Sequence, residues 1–408
     1  MEAAVAEAQR AWPGVDFCGK GPRVVSTAEE YLQEVLLGAP GADVVVFRGG
    51  AAALGLDAAA TLPAWLVDAL AHEATVVGAL RRVAAADPGA AAAITARLER
   101  DDRGFQREVP PARAAAGTDD VAPDAHRSLA GARCLGAAEA AGADAKGLYA
   151  CELQTLRRWK REGRWTRSIL ARSQRAVLGD GARFCVAWDD ENDGAFVGAR
   201  GAGKGLHVDQ VNWLNVGINW TGYKVVATWA ALDAAPPLDA VLAPPLDGAR
   251  AAAVARCARV AVLGPGDAFL VSGAAPHATL VVGDGLNCTS YESYVNLEPR
   301  VLDALFRTAD RGTQAMAADD FRTFLEGCVA ALARIAPAPR PRVDTCAFAV
   351  SAPVAKAVAA VLGELFVDAV RAFDARGASL GVAVPPALRH AAAAVANRTR
   401  CRLPLPAD

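Results

Sequence analysis

The sequence predicts a mainly β domain with helical additions at both ends. Three observations lead there. Between residues 184 and 296, short apolar runs bounded by glycines and acidic turns follow one another, the pattern of a sandwich or barrel. Ahead of that region, helical spacing is visible at 1–12, Thr27–Leu37 and 64–82. Beyond Pro299 the spacing turns helical again and continues to the C-terminus.

Taken in order, Pro13-Gly14 stops the first helix, and a strand is expected at Ala42–Arg48 after the second. Residues 86–146 are rich in Ala, Gly, Asp and Pro with weak periodicity, which reads as a loop-rich insertion. The β region then offers strands at Phe184–Trp188, Ala195–Ala199, Leu206–Val211, Lys224–Ala230, Val260–Leu263, Ala268–Val271, Thr279–Val282 and Leu286–Val295. The clearest amphipathic helix is Pro353–Phe373, where Val354, Val358, Val361, Leu362, Leu365 and Ala369 form one stripe. That stripe serves either the chain's own core or a homodimer face. The expected organisation is a lead at 1–20, a β domain at 20–300 and a helical extension at 300–408.

Composition excludes several classes. A net charge of −2 gives no global attraction to nucleic acid or an anionic membrane. Nine cysteines, an odd number with no close pair, argue against a disulfide framework or structural zinc and fit a reducing compartment. The N-terminal stretch lacks the apolar run of a secretory signal, and no eighteen-residue apolar stretch is free of charge. The expectation is a soluble intracellular protein, nuclear or cytoplasmic, with no membrane association.

Five histidines are present, and two fall in strand-like segments of the β region. In GLHVDQ, His207 and Asp209 are two residues apart, and on a strand such residues project from one face. His277 follows the run PGDAFLVSGAAP and can close a site from a neighbouring strand. Two imidazoles and a carboxylate on one side of a metal leave positions open, which suits non-haem Fe(II) oxygen chemistry. An HxD pair alone is weak; the later histidine after a Pro-Gly-Asp turn is what gives it weight.

These segments resemble the JmjC-type Fe(II)- and 2-oxoglutarate-dependent oxygenases of the cupin superfamily, nearest the lysyl-hydroxylase/arginine-demethylase branch. The match runs through Gly203-Lys204-Gly205-Leu206-His207-Val208-Asp209, then Gly222-Tyr223-Lys224, then Pro265-Gly266-Asp267 with its strand and His277, with GLYACE at 147–152 upstream. It extends in order over residues 20–300, most clearly at 195–296. The resemblance implies a double-stranded β-helix, or jelly roll, with N-terminal helices and a C-terminal helical extension. It also implies Fe(II) on His207, Asp209 and His277, with O2 and 2-oxoglutarate as co-substrates. Lys224 would pair with the remote carboxylate of 2-oxoglutarate, because a buried anion needs a cation and hydrogen-bond donors. Tyr149 is the implied second donor. Asn287, Thr289, Tyr291 and Ser293 share one face of the closing strand, and Thr289 and Ser293 stand as candidates there.

Departures from the family pattern are informative. Lys204 stands where a co-substrate threonine is usual, and is either a second cation for the co-substrate or outward-facing. The family's asparagine in the following strand falls on Gly217, with Asn215 and Asn219 flanking it on the same face. Ala275-Pro276 replaces an aromatic pair before the last histidine, which opens the question of substrate.

Other signals carry less. GARGAGKG at 198–205 lacks the hydroxyl residue that ends a P-loop, and a strand with HVD follows instead of a helix. DDENDG at 189–194 begins like a calcium loop, but Arg200 stands where a bidentate glutamate is needed. Residues 157–175 hold eight Lys or Arg against Glu162, with Trp159 and Trp165 among them. They read equally as a solvated helix face or as a surface for acidic protein or RNA. His72, His126 and His390 read as ordinary side chains.

The implied reaction is oxidative decarboxylation of 2-oxoglutarate to succinate and CO2, coupled to hydroxylation of a C–H bond; on an N-methyl group this leads to demethylation. A protein side chain is the expected substrate. RNA, a nucleic-acid base or a small molecule is the alternative, and an inactive binding module is the third class.

Overall fold

A computed structural model describes residues 2–11, 22–37, 44–56, 105–107, 148–153, 169–170, 185–187, 194–198, 200, 203, 209, 213–229, 258–283, 287–305, 321–329, 352–377 and 383–400. Its strands are β1 (Arg23–Val25), β2 (Val44–Phe47), β3 (Phe105–Arg107), β4 (Leu148–Leu153), β5 (Cys185–Ala187), β6 (Gly194–Gly198), β7 (Leu214–Thr221), β8 (Tyr223–Trp229), β9 (Ala258–Leu263), β10 (Asp267–Ser272), β11 (His277–Val282) and β12 (Asn287–Asn296). The helices are α1 (Glu2–Ala11), α2 (Ala28–Leu37), the short α3 (Gly50–Ala53), α4 (Pro299–Leu305), α5 (Ala352–Gly377) and α6 (Pro386–Arg400), with 321–329 also helical.

Two sheets are formed, and every strand pair except the parallel β1–β2 is antiparallel. The larger has the order β1-β2-β10-β7-β12-β6-β4-β3, with β5 also on β12; the smaller has the order β11-β8-β9. Among the described residues neither sheet closes on itself into a barrel. No helix among them is long and apolar enough to cross a membrane.

Alternation along the strands sorts side chains between two cores. Val45, Phe47, Val216, Ile218, Trp220, Ala268 and Leu270 turn to the helix side, where they join Tyr31, Leu32, Val35 and Leu36 of α2 and Phe366 and Phe373 of α5. Between the sheets, Val44, Val46, Phe269 and Val271 meet Val226, Ala261 and Leu263, with Tyr291 against them. The architecture is therefore helices on a large sheet on a small sheet. Tyr31 ties the layers by donating to the Phe269 carbonyl at 2.8 Å, and Tyr294 does so by donating to the Val35 carbonyl at 2.9 Å.

Chain direction reverses between sheets at glycine turns. Gly222, with φ 61°, links β7 in the large sheet to β8 in the small one, and Gly266, with φ 80°, links β9 back to β10. Both are conformations that other residues adopt reluctantly. In the second turn the Asp267 carboxylate accepts from Gly264 N–H at 2.8 Å, Gly49 N–H at 3.0 Å and Arg48 at 2.5 Å. The Pro-Gly-Asp motif is thus a built corner, not a ligand site.

Several expectations meet the structure directly. Thr27 caps α2: Glu30 N–H donates to its hydroxyl at 3.1 Å, and Thr27 N–H donates back to the Glu30 carboxylate at 3.2 Å. In α5, Val358, Leu362 and Ala369 face the chain's own core, whereas Val361 turns outward with 39% exposure. A strand at Leu206–Val211 is not seen at Asp209, its one described residue, which lies outside any strand. The strand list also omitted β7, the centre of the large sheet, although Leu-Asn-Val-Gly-Ile-Asn-Trp alternates along it. Short β3 falls inside 86–146 and pairs with β4. The proposed helix at 64–82 lies outside the described residues.

Candidate functional site

His277 opens β11 and stands opposite Thr228 of β8. Trp229 N–H donates to the Pro276 carbonyl at 2.9 Å, so the adjoining His277–Thr228 pair is the non-hydrogen-bonded kind, whose side chains approach most closely. Both residues are buried, and among the described residues the Thr228 hydroxyl has no hydrogen-bond partner. His277 Nδ1 lies 2.8 Å from the Ala275 carbonyl. A carbonyl only accepts, so that nitrogen carries the hydrogen, and in the neutral ring Nε2 would present its lone pair.

Nε2 lies 3.7 Å from Asp209 Oδ1. That is too long for a hydrogen bond, and shorter than twice a metal–ligand distance of roughly 2.0–2.2 Å. Asp209 is set by its surroundings: its N–H donates to the Gly273 carbonyl at 3.1 Å, and Oδ2 accepts from Asn215 Nδ2 at 2.9 Å. Ser293 in turn donates to Asn215 Oδ1 at 2.8 Å. A proton on Nε2 or a metal cation between the two atoms would each satisfy the pair. An imidazole fixed by a carbonyl and a carboxylate fixed by an amide make a donor set that fits a divalent transition metal. Among the described residues no three His, Cys, Asp or Glu side chains converge, and His207 lies outside them.

Lys224, on the same face of β8 as Thr228, is completely buried. Its ammonium donates to the Tyr291 hydroxyl at 3.1 Å and lies 5.4 Å and 5.1 Å from the Phe196 and Tyr291 ring centres. The two rings meet edge-on at 4.8 Å. A solvent-facing lysine is thereby excluded. Enclosing an ammonium among apolar walls is costly, and the ring faces and the Tyr291 hydroxyl offset part of that cost. Close by, burial pushes the Cys288 thiol up to about 12, and Lys224 offsets only part of that rise.

The remaining candidates divide. Ser293 and Asn215 lie at the Asp209 end, hydrogen-bonded as above. Thr289 belongs to a separate network: its hydroxyl lies 3.0 Å from both Asn219 Oδ1 and Asn287 Oδ1. Asn219 donates to the Gly222 and Gly264 carbonyls at 2.9 Å, and Asn287 donates to Asn219 at 2.6 Å, so this cluster fastens the turn end of the sheets. Tyr149 pairs with Gly198 across β4 and β6. Its side chain, Lys204 and residues 157–168 lie outside the described residues, as do His72 and His126, while His390 is exposed on α6.

Sequence reasoning named neither Phe196 nor Gly273 and left Tyr291 as one of four. A Cβ on Gly273 would meet Asp209 Oδ2 at 2.4 Å, so only glycine leaves room for that carboxylate. At Gly217 a Cβ would meet the Ser290 carbonyl oxygen at 2.1 Å and Phe269 at 2.5 Å. No asparagine fits there, and Asn215 faces the site instead. The aromatic cage around Lys224 had a signal in strand alternation, but the pairing of Phe196 with Thr289 across β6 and β12 is a register fact that one strand cannot reveal. No protein-family model matches the chain, and no curated protein matches it in sequence.

Proposed function

We propose that this chain is an Fe(II)- and 2-oxoglutarate-dependent oxygenase that hydroxylates a protein side chain, with His207, Asp209 and His277 as metal ligands. The observation that carries the reading is the His277–Asp209 pair at 3.7 Å, on the same inner space as buried Lys224. The connections that step between sheets at β7–β8, β9–β10 and β11–β12 support a double-stranded β-helix as the underlying fold.

When bound, ferrous iron would supply O2 activation coupled to decarboxylation of the keto acid. The residues' own contributions follow from their placement. Ala275 holds His277 in the tautomer that leaves Nε2 available. Lys224 and the Tyr291 hydroxyl offer a cation and a hydrogen-bonding partner to the remote carboxylate. His277 and Lys224 sit four residues apart in ladder register, so the space between them runs along β8 for about 13 Å at ~3.3 Å per residue, which their inward-reaching side chains shorten. Phe196, Phe269 and Tyr291 form an apolar wall that limits water.

The test is succinate formation from 2-oxoglutarate with purified protein. The proposal expects turnover that needs Fe(II) and is lost in His277→Ala and in Asp209→Ala. Iron-independent turnover, or turnover retained in both variants, contradicts it.

A further inference from the structure

Resting on that reading of the metal site, we infer that Asn215, Ser293 and Gly273 are positioning residues that hold Asp209 to single-oxygen ligation. The relay is explicit. Ser293 donates to Asn215 Oδ1 at 2.8 Å, which turns the amide so that Nδ2 donates to Asp209 Oδ2 at 2.9 Å. Asn215 and Ser293 are both buried and directly opposed in the β7–β12 ladder, so the amide has little freedom to flip. A flipped amide would set its oxygen against the carboxylate, which only accepts.

Gly273 fixes the same oxygen from the other side. Its carbonyl accepts Asp209 N–H at 3.1 Å, its own N–H donates to the Trp213 carbonyl at 2.8 Å, and its missing Cβ leaves the space that Oδ2 fills. Oδ2 is therefore engaged by an amide and packed on backbone, while Oδ1 lies toward His277 Nε2.

The arrangement matters for counting. Held by His207, His277 and Asp209 through Oδ1 alone, the ion would keep more positions open for incoming groups than it would with both Asp209 oxygens bound. If Asp209 spent both oxygens, one incoming group would lose its place. In this account Asn215 and Ser293 serve the metal carboxylate and do not contact 2-oxoglutarate.

Cobalt(II) titration followed by visible absorption reads this directly, without turnover. Wild-type protein should bind one Co(II), and Asp209→Ala should lose it. Asn215→Ala should bind Co(II) about 10–100-fold more weakly, with a shifted d–d band because Oδ2 is released. Ser293→Ala should show a smaller change in the same direction, and it carries the test if Asn215→Ala does not fold. Wild-type affinity and an unchanged band in the folded variants overturn the inference while the metal site stands. Failure of wild-type protein to bind Co(II), or unchanged binding in Asp209→Ala, overturns the site reading and the inference together.

Discussion

Replacing Lys224 by methionine should separate the ligand role of this lysine from any structural one. The lysine is fully buried, and its ammonium sits between the rings of Phe196 and Tyr291. Methionine matches its length and removes the charge. In the absence of ligand, the free protein should stay folded and lose about 1–2 kcal/mol with the hydrogen bond to Tyr291, since methionine keeps the packing between the rings. Co-substrate binding should lose more. A carboxylate left without its cation costs about 3–5 kcal/mol, a weakening of roughly two to three and a half orders of magnitude. Thermal unfolding of the free protein and calorimetric titration of 2-oxoglutarate into Mn(II)-loaded protein give both quantities. Lys204→Met and the double variant belong beside it, because a second lysine can assume part of the role. If Lys224→Met destabilises the free protein by several kcal/mol yet binds 2-oxoglutarate normally, the lysine is structural. If Lys204→Met alone abolishes binding, the pocket is oriented differently.

Gly273→Ala should displace the Asp209 carboxylate, because the new methyl would meet Oδ2 at 2.4 Å; Mn(II) titration should show about 10–100-fold weaker binding. Cys288, with its thiol pushed up to about 12 by burial, should resist alkylation at pH 8 in native protein and react on unfolding. The folded state keeps that proton where the unfolded thiol loses it, so this group's contribution to stability falls as pH rises from about 9 toward 12. Burial raises the Glu34 carboxyl while Arg23 pulls it back, and among the described residues its Oε2 has no hydrogen-bond partner. A carboxyl raised in the fold makes stability fall as pH climbs through its ordinary range, so Glu34→Gln should flatten that dependence and raise Tm near neutral pH.

The readable parts of the sequence were those governed by local chemistry. Helical spacing at Thr27–Leu37 announces α2, and Pro265-Gly266-Asp267 announces the corner into β10, because periodicity and turns depend on residues a few positions apart. The strand after the Pro-Gly-Asp turn was legible from its apolar run, and the burial of Lys224 was implied by the family resemblance. What stayed hidden depends on register between distant strands. Thr289 and Ser293 looked equivalent on one face of β12, yet pairing places one beside Asn219 and the other beside Asn215. That difference sends Thr289 to a structural network and Ser293 to the carboxylate relay. Gly273 was silent for a related reason: the need for a missing side chain arises only when Asp209 arrives from sixty-four residues away. β7 was absent from the strands read by apolar runs, because Asn215 and Asn219 interrupt it, although the family resemblance already put both on one face of a strand.

The central claim, that one metal ion sits between His277 and Asp209 with the co-substrate reaching Lys224, is tested most directly by anomalous diffraction. Crystals grown with Mn(II) and an inert 2-oxoglutarate analogue should show one strong peak at roughly 2.0–2.2 Å from His277 Nε2, Asp209 Oδ1 and a nitrogen of His207. The analogue's far carboxylate should contact Lys224. A peak away from these atoms, or full Mn(II) occupancy with the analogue's carboxylate remote from Lys224, would contradict the account.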